Sequence, residues 1–145
     1  MSIINQVRGI YLLAEELLEK IEEILKELKA INTDLPIIVE GESDVKTLRE
    51  LGLEGEIIQI NRGQSLFNFC EEIAKKYSKV VILTDWDRKG GHLCRLLSEG
   101  LKANDVQFNT ELRAKFAGYC KKETKDVEGL FGCVYRLKNQ IKSPK

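Results

Sequence analysis

Two aspartates separated by one residue, Asp85 and Asp87, follow an apolar run in the segment VVILTDWDRKGG. The run from Val80 to Leu83 predicts a short strand buried on both faces of a sheet. Like charges held close together at the end of a buried strand cost free energy unless a positive charge lies beside them. Carboxylate oxygens without a neighbouring histidine or cysteine are ligands that suit Mg²⁺ or Mn²⁺. The pattern therefore indicates a divalent-cation site, and an acidic turn that caps the next helix is the alternative.

Segments typical of strands and helices alternate from residue 34 onward. The strand-like segments are LPIIVE, EIIQI, KVVILTD and VQFNTEL, and the helix-like segments between and after them are DVKTLREL, SLFNFCEEIAKKY and GHLCRLLSEGLKAN. Ser43 or Asp44 is the predicted N-cap of the first of these helices, and Ser65 lies near the start of the second. This alternation predicts an α/β fold, a Rossmann-like parallel four-stranded sheet with helices on both faces.

Polar residues follow the predicted strands at their carboxyl ends. Glu40 and Gly41 follow the first strand, residues 61–63 follow the second, and Asp85 and Asp87 follow the third. Ligands of such sheets bind beyond these ends, where the strand order reverses. If the first and third strands are neighbours, the three carboxylates converge on one point, since residues i and i+2 of an extended segment point to the same side.

An amphipathic helix is predicted for residues 3–31, ahead of the sheet. Apolar residues recur there at spacings of three and four, with a second row beside them; the two rows are Ile3, Val7, Ile10, Ala14, Leu17, Ile21, Ile24, Leu28, Ile31 and Ile4, Tyr11, Leu18, Leu25. This stripe is wider than a coiled-coil seam, which favours packing on the domain or against another helix. Because large apolar patches mark contacts, we expect a homodimer through this helix. The predicted domain boundaries are 1–33 for the helix, 34–132 for the α/β domain and 133–145 for a basic C-terminal tail.

Charge is unevenly distributed in a chain whose formal net charge is zero. Residues 1–56 carry 13 acidic and 6 basic residues, whereas residues 113–145 carry 9 basic and 3 acidic residues. The basic end suits contact with phosphates, and a solvated tail is the alternative. No apolar run is long enough for a membrane span, and no signal-like segment opens the chain. We therefore expect a cytoplasmic protein whose four cysteines are reduced thiols and not a zinc site or a disulfide framework.

Two of the quoted segments resemble signature motifs of a known family. VEGESD and TDWDRKG are similar to the motifs of the Toprim domain, which occurs in topoisomerases, bacterial primases, ribosomal-RNA maturation nucleases and OLD-type nucleases. NRGQSL is similar to the turn after the second strand of primase-like members. The resemblance covers residues 36 to about 130, and KDVEGL lies where small stand-alone Toprim proteins often have a further short helix.

The resemblance implies roles for individual residues. Glu40 would be the general acid/base and a possible metal ligand, and Asp85 and Asp87 would hold Mg²⁺ or Mn²⁺. Gly41 would let the backbone turn sharply and approach a ligand closely. Asp44 matches an acidic position of the family and would support the site, although a helix N-cap is an equally good interpretation.

Substrate contacts would come from the same loops. The candidates for binding phosphate are Gly41, Arg62, Gly63, Arg88 and Lys89, with Gly90 as a supporting residue; plain surface positions are the alternative for the three cations. Trp86 either packs under the rim of the sheet or stacks on a base.

The implied function is magnesium-dependent phosphotransfer on RNA or DNA, most simply by a small nuclease. The chain has no zinc-ribbon cysteines of a primase, no supporting elements for a topoisomerase tyrosine and no G-x-x-x-x-G-K motif of an ATPase. Hydrolysis of a phosphodiester needs only a metal and water. The alternative function is a nucleic-acid-binding or assembly module that keeps the metal site without turnover, and the neutral net charge slightly favours this alternative or a requirement for a partner.

Overall fold

The computed structural model describes the backbone of residues 3–142 and the side chains of residues 13–142. Six helices and four strands make up this described part of the chain. They are α1 (Ile3–Asn32), β1 (Ile37–Val39), α2 (Glu42–Glu50), β2 (Ile57–Gln59), α3 (Leu66–Lys76), β3 (Lys79–Ile82), α4 (Arg88–Ala103), β4 (Gln107–Asn109), α5 (Glu111–Cys120) and α6 (Leu130–Lys142).

The four strands form one parallel sheet in the order β2-β1-β3-β4. The two central strands are β1 and β3, with Ile37 beside Val81 and Ile38 beside Ile82. The predicted α/β fold with four parallel strands is confirmed, and the condition that the first and third strands are neighbours is met. The carboxyl ends of β1 and β3 therefore lie side by side where the strand order reverses.

Helices cover both faces of the sheet. Ile37 and Val39 point to the face that carries α1, α2, α5 and α6, whereas Ile38 points to the face that carries α3 and α4. In β3, Val81 points to the first of these faces and Val80 points to the second. A strand with both faces buried has no position for a polar side chain, which explains the continuous apolar runs in the sequence.

Helix α1 packs within its own chain. Its buried side chains lie in the same core as those of α5 and α6; they are Ala14, Leu18, Ile21, Ile24, Leu25 and Leu28. At its end, the buried Asn32 amide donates to the carbonyl groups of Leu35 (3.0 Å) and Glu56 (2.9 Å). The homodimer prediction assumed that no groove of the domain could take this stripe, and for residues 14–28 that assumption is wrong. The predicted stripe side chains before residue 13 lie outside the described ones.

The segment predicted as a basic tail is a helix as far as the structure describes it. In α6, the side chains of Leu130, Cys133, Val134 and Leu137 are buried against the core that contains α1. An apolar face at helical spacing is the reason why this segment does not remain a tail, and its basic residues lie on the outer face. Within residues 3–142, no helix combines the length and apolar character that a membrane span requires.

Candidate acidic site at the carboxyl edge of the sheet

Glu40 and Asp85 meet where β1 and β3 end. The backbone N–H of Asp85 donates to Oε2 of Glu40 at 2.8 Å, across 45 residues of sequence. Glu40 is only 9% exposed, and Asp85 is half-buried. The other oxygen of Glu40, Oε1, makes no hydrogen bond to any described residue, so it remains available to a proton, a metal or a ligand.

Asp44 is the third carboxylate of this edge. Helix α2 begins at Glu42 with Gly41 as its N-cap, so neither Ser43 nor Asp44 is the N-cap that the sequence predicted. Instead, the Asp44 carboxylate reaches back and accepts the N–H of Gly41 at 3.0 Å. Burial raises the pKa of Asp44, while the Gly41 hydrogen bond opposes the shift and the neighbouring Glu40 adds to it.

Asp85 has the most perturbed carboxyl group of the site. Burial raises its pKa from 3.8 to about 7. The N–H of Val127 donates to its Oδ1 at 2.9 Å and opposes the shift, whereas Glu40, Asp44 and Asp126 add negative charge nearby and raise the pKa further. We call Glu40, Asp44, Asp85 and Asp126 the acidic group. Its members repel one another, and the repulsion favours the binding of protons or cations.

Asp126 is a member that the sequence reasoning missed. It belongs to the connection between α5 and α6, residues 121–129, which we call the covering loop. Oδ1 of Asp126 accepts the N–H of Gly129 at 2.8 Å and the hydroxyl of Thr124 at 3.1 Å, which closes a tight turn. The segment KDVEGL contains this aspartate, but the family resemblance suggested only a further short helix there.

Trp86 fastens the covering loop to the end of β3. Its backbone N–H donates to the carbonyl of Lys125 at 2.9 Å, and its indole N–H donates to the carbonyl of Thr124 at 2.7 Å. The ring stacks on Phe116 with 5.8 Å between the centroids. Trp86 therefore packs under the rim of the sheet, which was the first of its two predicted roles.

Asp87 lies in a different environment from Asp85. It is exposed, and its carboxylate is the N-cap of α4, where Oδ1 accepts the N–H of Gly90 at 2.7 Å. The carboxylates that contribute most to the raised pKa of Asp85 are Glu40, Asp44 and Asp126, and Asp87 is not one of them. The structure therefore brings Glu40 and Asp85 together, and it uses the Asp87 carboxylate to begin the next helix.

Gly90 is required by close packing at this turn. A Cβ atom at this position would lie 2.0 Å from the carbonyl oxygen of Asp85, far inside the contact distance. The buried hydroxyl of Thr84 donates to the Gly90 carbonyl at 2.9 Å and holds the same turn. Gly41 differs from Gly90, because its φ of −147° is extended backbone that any residue adopts. The chain still bends at Glu40 and Gly41, but no left-handed backbone conformation requires glycine there.

Within the described part of the chain, the cationic candidates form no ion pair with a member of the acidic group. Arg88 and Lys89 are exposed in the first turn of α4. Arg62 is exposed in the turn after β2, where Oδ1 of Asn61 accepts the N–H of Gly63 at 2.8 Å. In the described structure, neither Arg62 nor Gly63 hydrogen-bonds to Glu40, Asp85 or Asp87.

Arg113 of α5 is a second residue that the sequence reasoning missed. Its guanidinium group donates to the carbonyl groups of Thr84 at 3.1 Å and Asp85 at 2.7 Å. These bonds fix the backbone on which Asp85 stands. No local motif marks Arg113, because its partners lie 28 and 29 residues away.

The donor chemistry of the acidic group fits a hard divalent cation. Its side chains offer only carboxylate oxygens, which Mg²⁺ and Mn²⁺ prefer. The described residues form five ion pairs, and none of them includes Asp87 or a member of the acidic group. Among the described side chains, no three are arranged as a ready-made metal site. A bound cation would therefore rely on Glu40 and Asp85, with a reoriented Asp87 or with water to complete its ligands.

Comparison with known proteins places this fold and these motifs in a family. The family model of the Toprim domain matches residues 36–119. A UPF0292 protein of Methanosarcina barkeri is 44% identical over 122 residues, which are 83% of this chain and 85% of that protein. A UPF0292 protein of Methanocaldococcus jannaschii is 35% identical over 120 residues, 83% of this chain and 94% of that protein.

A solved structure of a protein from Aquifex aeolicus has the same fold. The two structures superpose with a TM-score of 0.63 and 24% sequence identity. The superposed region covers 74% of this chain and 94% of the Aquifex chain. At this identity, the likeness concerns the fold alone.

Proposed function

The chain belongs to the Toprim domain family and to the UPF0292 proteins, and on this premise we propose that it is a divalent-metal-dependent phosphotransfer enzyme acting on nucleic acid, a small nuclease. A Toprim domain indicates a metal-dependent function related to nucleic acids. Hydrolysis is the simplest such chemistry, because it requires a metal and water but no second domain.

One observation carries the proposal. Glu40 and Asp85 lie together at the strand-order reversal, 2.8 Å from Oε2 to N, in a group of carboxylates to which no described residue supplies an ion pair. Stability alone would not maintain such a group, because buried like charges repel and lose hydration. The repulsion is a cost that cation binding relieves.

Each group of residues at the site has a separate chemical role in this proposal. Glu40 exchanges a proton through Oε1, the oxygen that no described residue occupies, while the Asp85 N–H holds Oε2. Asp85 and Asp87, with Glu40 as a further ligand, would hold Mg²⁺ or Mn²⁺, and the ion would supply Lewis-acid catalysis at a phosphate oxygen and a more acidic water. Arg62, Arg88 and Lys89, with the backbone at Gly41 and Gly63, bind phosphate oxygens around the site.

A nucleic-acid-binding or assembly module without turnover is the second candidate. It is favoured by Asp87, whose Oδ1 already serves as the N-cap acceptor of α4, and by the lack of a ready-made three-residue metal site among the described side chains. A cytoplasmic location also remains a prediction from the sequence.

Incubation with labelled structured RNA and DNA, with and without Mg²⁺ or Mn²⁺, tests the proposal. We expect metal-dependent cleavage of one of the two by the wild type. Glu40→Gln should abolish cleavage and weaken metal binding without eliminating it, because an amide does not exchange protons at neutral pH. Glu54→Gln, on the exposed connection after α2, is the matched control and should cleave normally.

Two results would contradict the proposal. Glu40→Gln that cleaves at the wild-type rate removes the acid/base role from this residue. Binding of nucleic acid by the wild type without cleavage under any metal assigns the chain to the second candidate.

A further inference from the structure

We propose that the outer face of α6 binds a single-stranded segment of nucleic acid by stacking bases on Phe131 and Tyr135. The two rings are 43% and 61% exposed, although large apolar side chains are normally buried. They are four residues apart, so they lie on one face of the helix about 6 Å apart along its axis. Aromatic rings in such a row accept successive bases of an unpaired strand whatever their sequence.

The charge of α6 complements a phosphate backbone. The helix carries three cations, Arg136, Lys138 and Lys142, and no carboxylate. Lys138 lies on the same outer face, three residues after Tyr135, and forms no ion pair with a described residue. A stacking face beside unpaired cations is the arrangement of proteins that bind single strands.

The covering loop between α6 and the acidic group carries three lysines together with the carboxylates of Glu123, Asp126 and Glu128. Arg136 ties α6 to the loop, with its guanidinium 3.9 Å from the Glu123 carboxylate and 3.5 Å from the Glu123 carbonyl. The exposed lysines of the loop, Lys121, Lys122 and Lys125, therefore lie next to the aromatic face.

The aromatic face is close to the candidate catalytic edge. Phe131 follows Val127 by four residues, and Val127 donates its N–H to Asp85. Four residues of chain span at most ~14 Å, so a strand on the rings reaches the acidic group within a few nucleotides. In taking nucleic acid as the ligand, the inference rests on the proposed function.

Charge also decides against a second copy of the chain as the occupant. A two-fold contact through this face would bring two copies of the same cationic face together, since the same patch meets itself. The acidic outer face of α1 flanks the far end of α6, where Glu15, Glu19 and Glu22 line the same groove as Ile141. A bound strand therefore follows the first turns of α6, away from α1.

Binding is measured in EDTA, where cleavage cannot interfere, by fluorescence anisotropy of a labelled oligothymidine and of a duplex of equal length. The Phe131→Ala, Tyr135→Ala double variant should bind the single strand about fivefold more weakly for each ring removed. Its affinity for the duplex should fall by a smaller factor. Phe67→Ala is the matched control, because Phe67 is 60% exposed on α3, across the sheet from α6. Lys138→Gln should reduce the slope of log K against log salt by about 0.7.

Melting temperatures equal to the wild type show that the variants are folded, as expected for exposed positions. Equal losses for the double variant and Phe67→Ala would overturn the inference, as would equal losses for single strand and duplex. A wild-type dimer that the double variant abolishes would assign the face to a second copy and also overturn it. Selective single-strand binding without any cleavage in Mg²⁺ would contradict the proposed function and support this inference.

Discussion

Replacement of Asp85 by Asn tests whether repulsion within the acidic group destabilises the metal-free protein and is relieved by a cation. Asn keeps an oxygen that can accept the Val127 N–H, so the substitution removes the charge but not the hydrogen bond. In the metal-free protein we expect Asp85→Asn to be more stable than the wild type at pH 8 and equally stable at pH 4.

The sign follows from the direction of the pKa shift. The pKa of Asp85 rises from 3.8 to about 7 on folding, so between these values the folded protein binds more protons than the unfolded chain. The favourable contribution of the protonated group is complete below about pH 4 and is lost as the pH rises through 7. Each pKa unit is worth about 1.4 kcal/mol, or ~4 kcal/mol over the whole shift. Because Asp85 is only half-buried, solvent screening reduces our expectation to about 2 kcal/mol.

Urea unfolding at pH 4 and pH 8 measures the difference. Fluorescence of Trp86, the single tryptophan, reports on the site, and circular dichroism checks that unfolding is two-state. Mg²⁺ should stabilise the wild type at pH 8 but not the variant. Asp87→Asn is the control, since Asn also serves as an N-cap and Asp87 is exposed; its stability should stay within about 0.5 kcal/mol of the wild type.

A stability difference between Asp85→Asn and the wild type that is the same at both pH values would refute the reasoning. The same holds if the variant is less stable than the wild type at pH 8.

Two further substitutions test the packing that positions the site. Gly90→Ala should destabilise the protein by about 2 kcal/mol or more, because its Cβ would lie 2.0 Å from the Asp85 carbonyl oxygen; Gly118→Ala, with no atom within 4 Å, should be neutral or stabilising in the same unfolding assay. Ile21→Asp should unfold the protein because Ile21 is fully buried, whereas Leu13→Asp should be tolerated at 65% exposure. A folded, monomeric Ile21→Asp protein in light scattering and circular dichroism would mean that α1 does not belong to the core.

The sequence alone was sufficient for the parallel sheet and for half of the site. Apolar runs without alternation require strands covered on both faces, and helices between them require parallel connections. Parallel strands end at one edge. Glu40 follows one apolar run directly and Asp85 follows another after one residue, so the two had to lie near each other once β1 and β3 were neighbours. Local patterns determine these features, because each depends on the faces of one element and the length of its connections.

Tertiary structure decided what covers each face and which carboxylates share the site. Periodicity showed that α1 has an apolar stripe, but not that α5 and α6 of the same chain bury its residues between 14 and 28. Spacing suggested that Asp85 and Asp87 act together. In the structure, Asp126 of the covering loop adds its charge to that of Asp85, and the Asp87 carboxylate caps α4 instead. Hydrogen bonds between Asp85 and residues 28 to 45 positions away decide this arrangement. Such bonds depend on how elements pack in space, which a local pattern of residue types does not record.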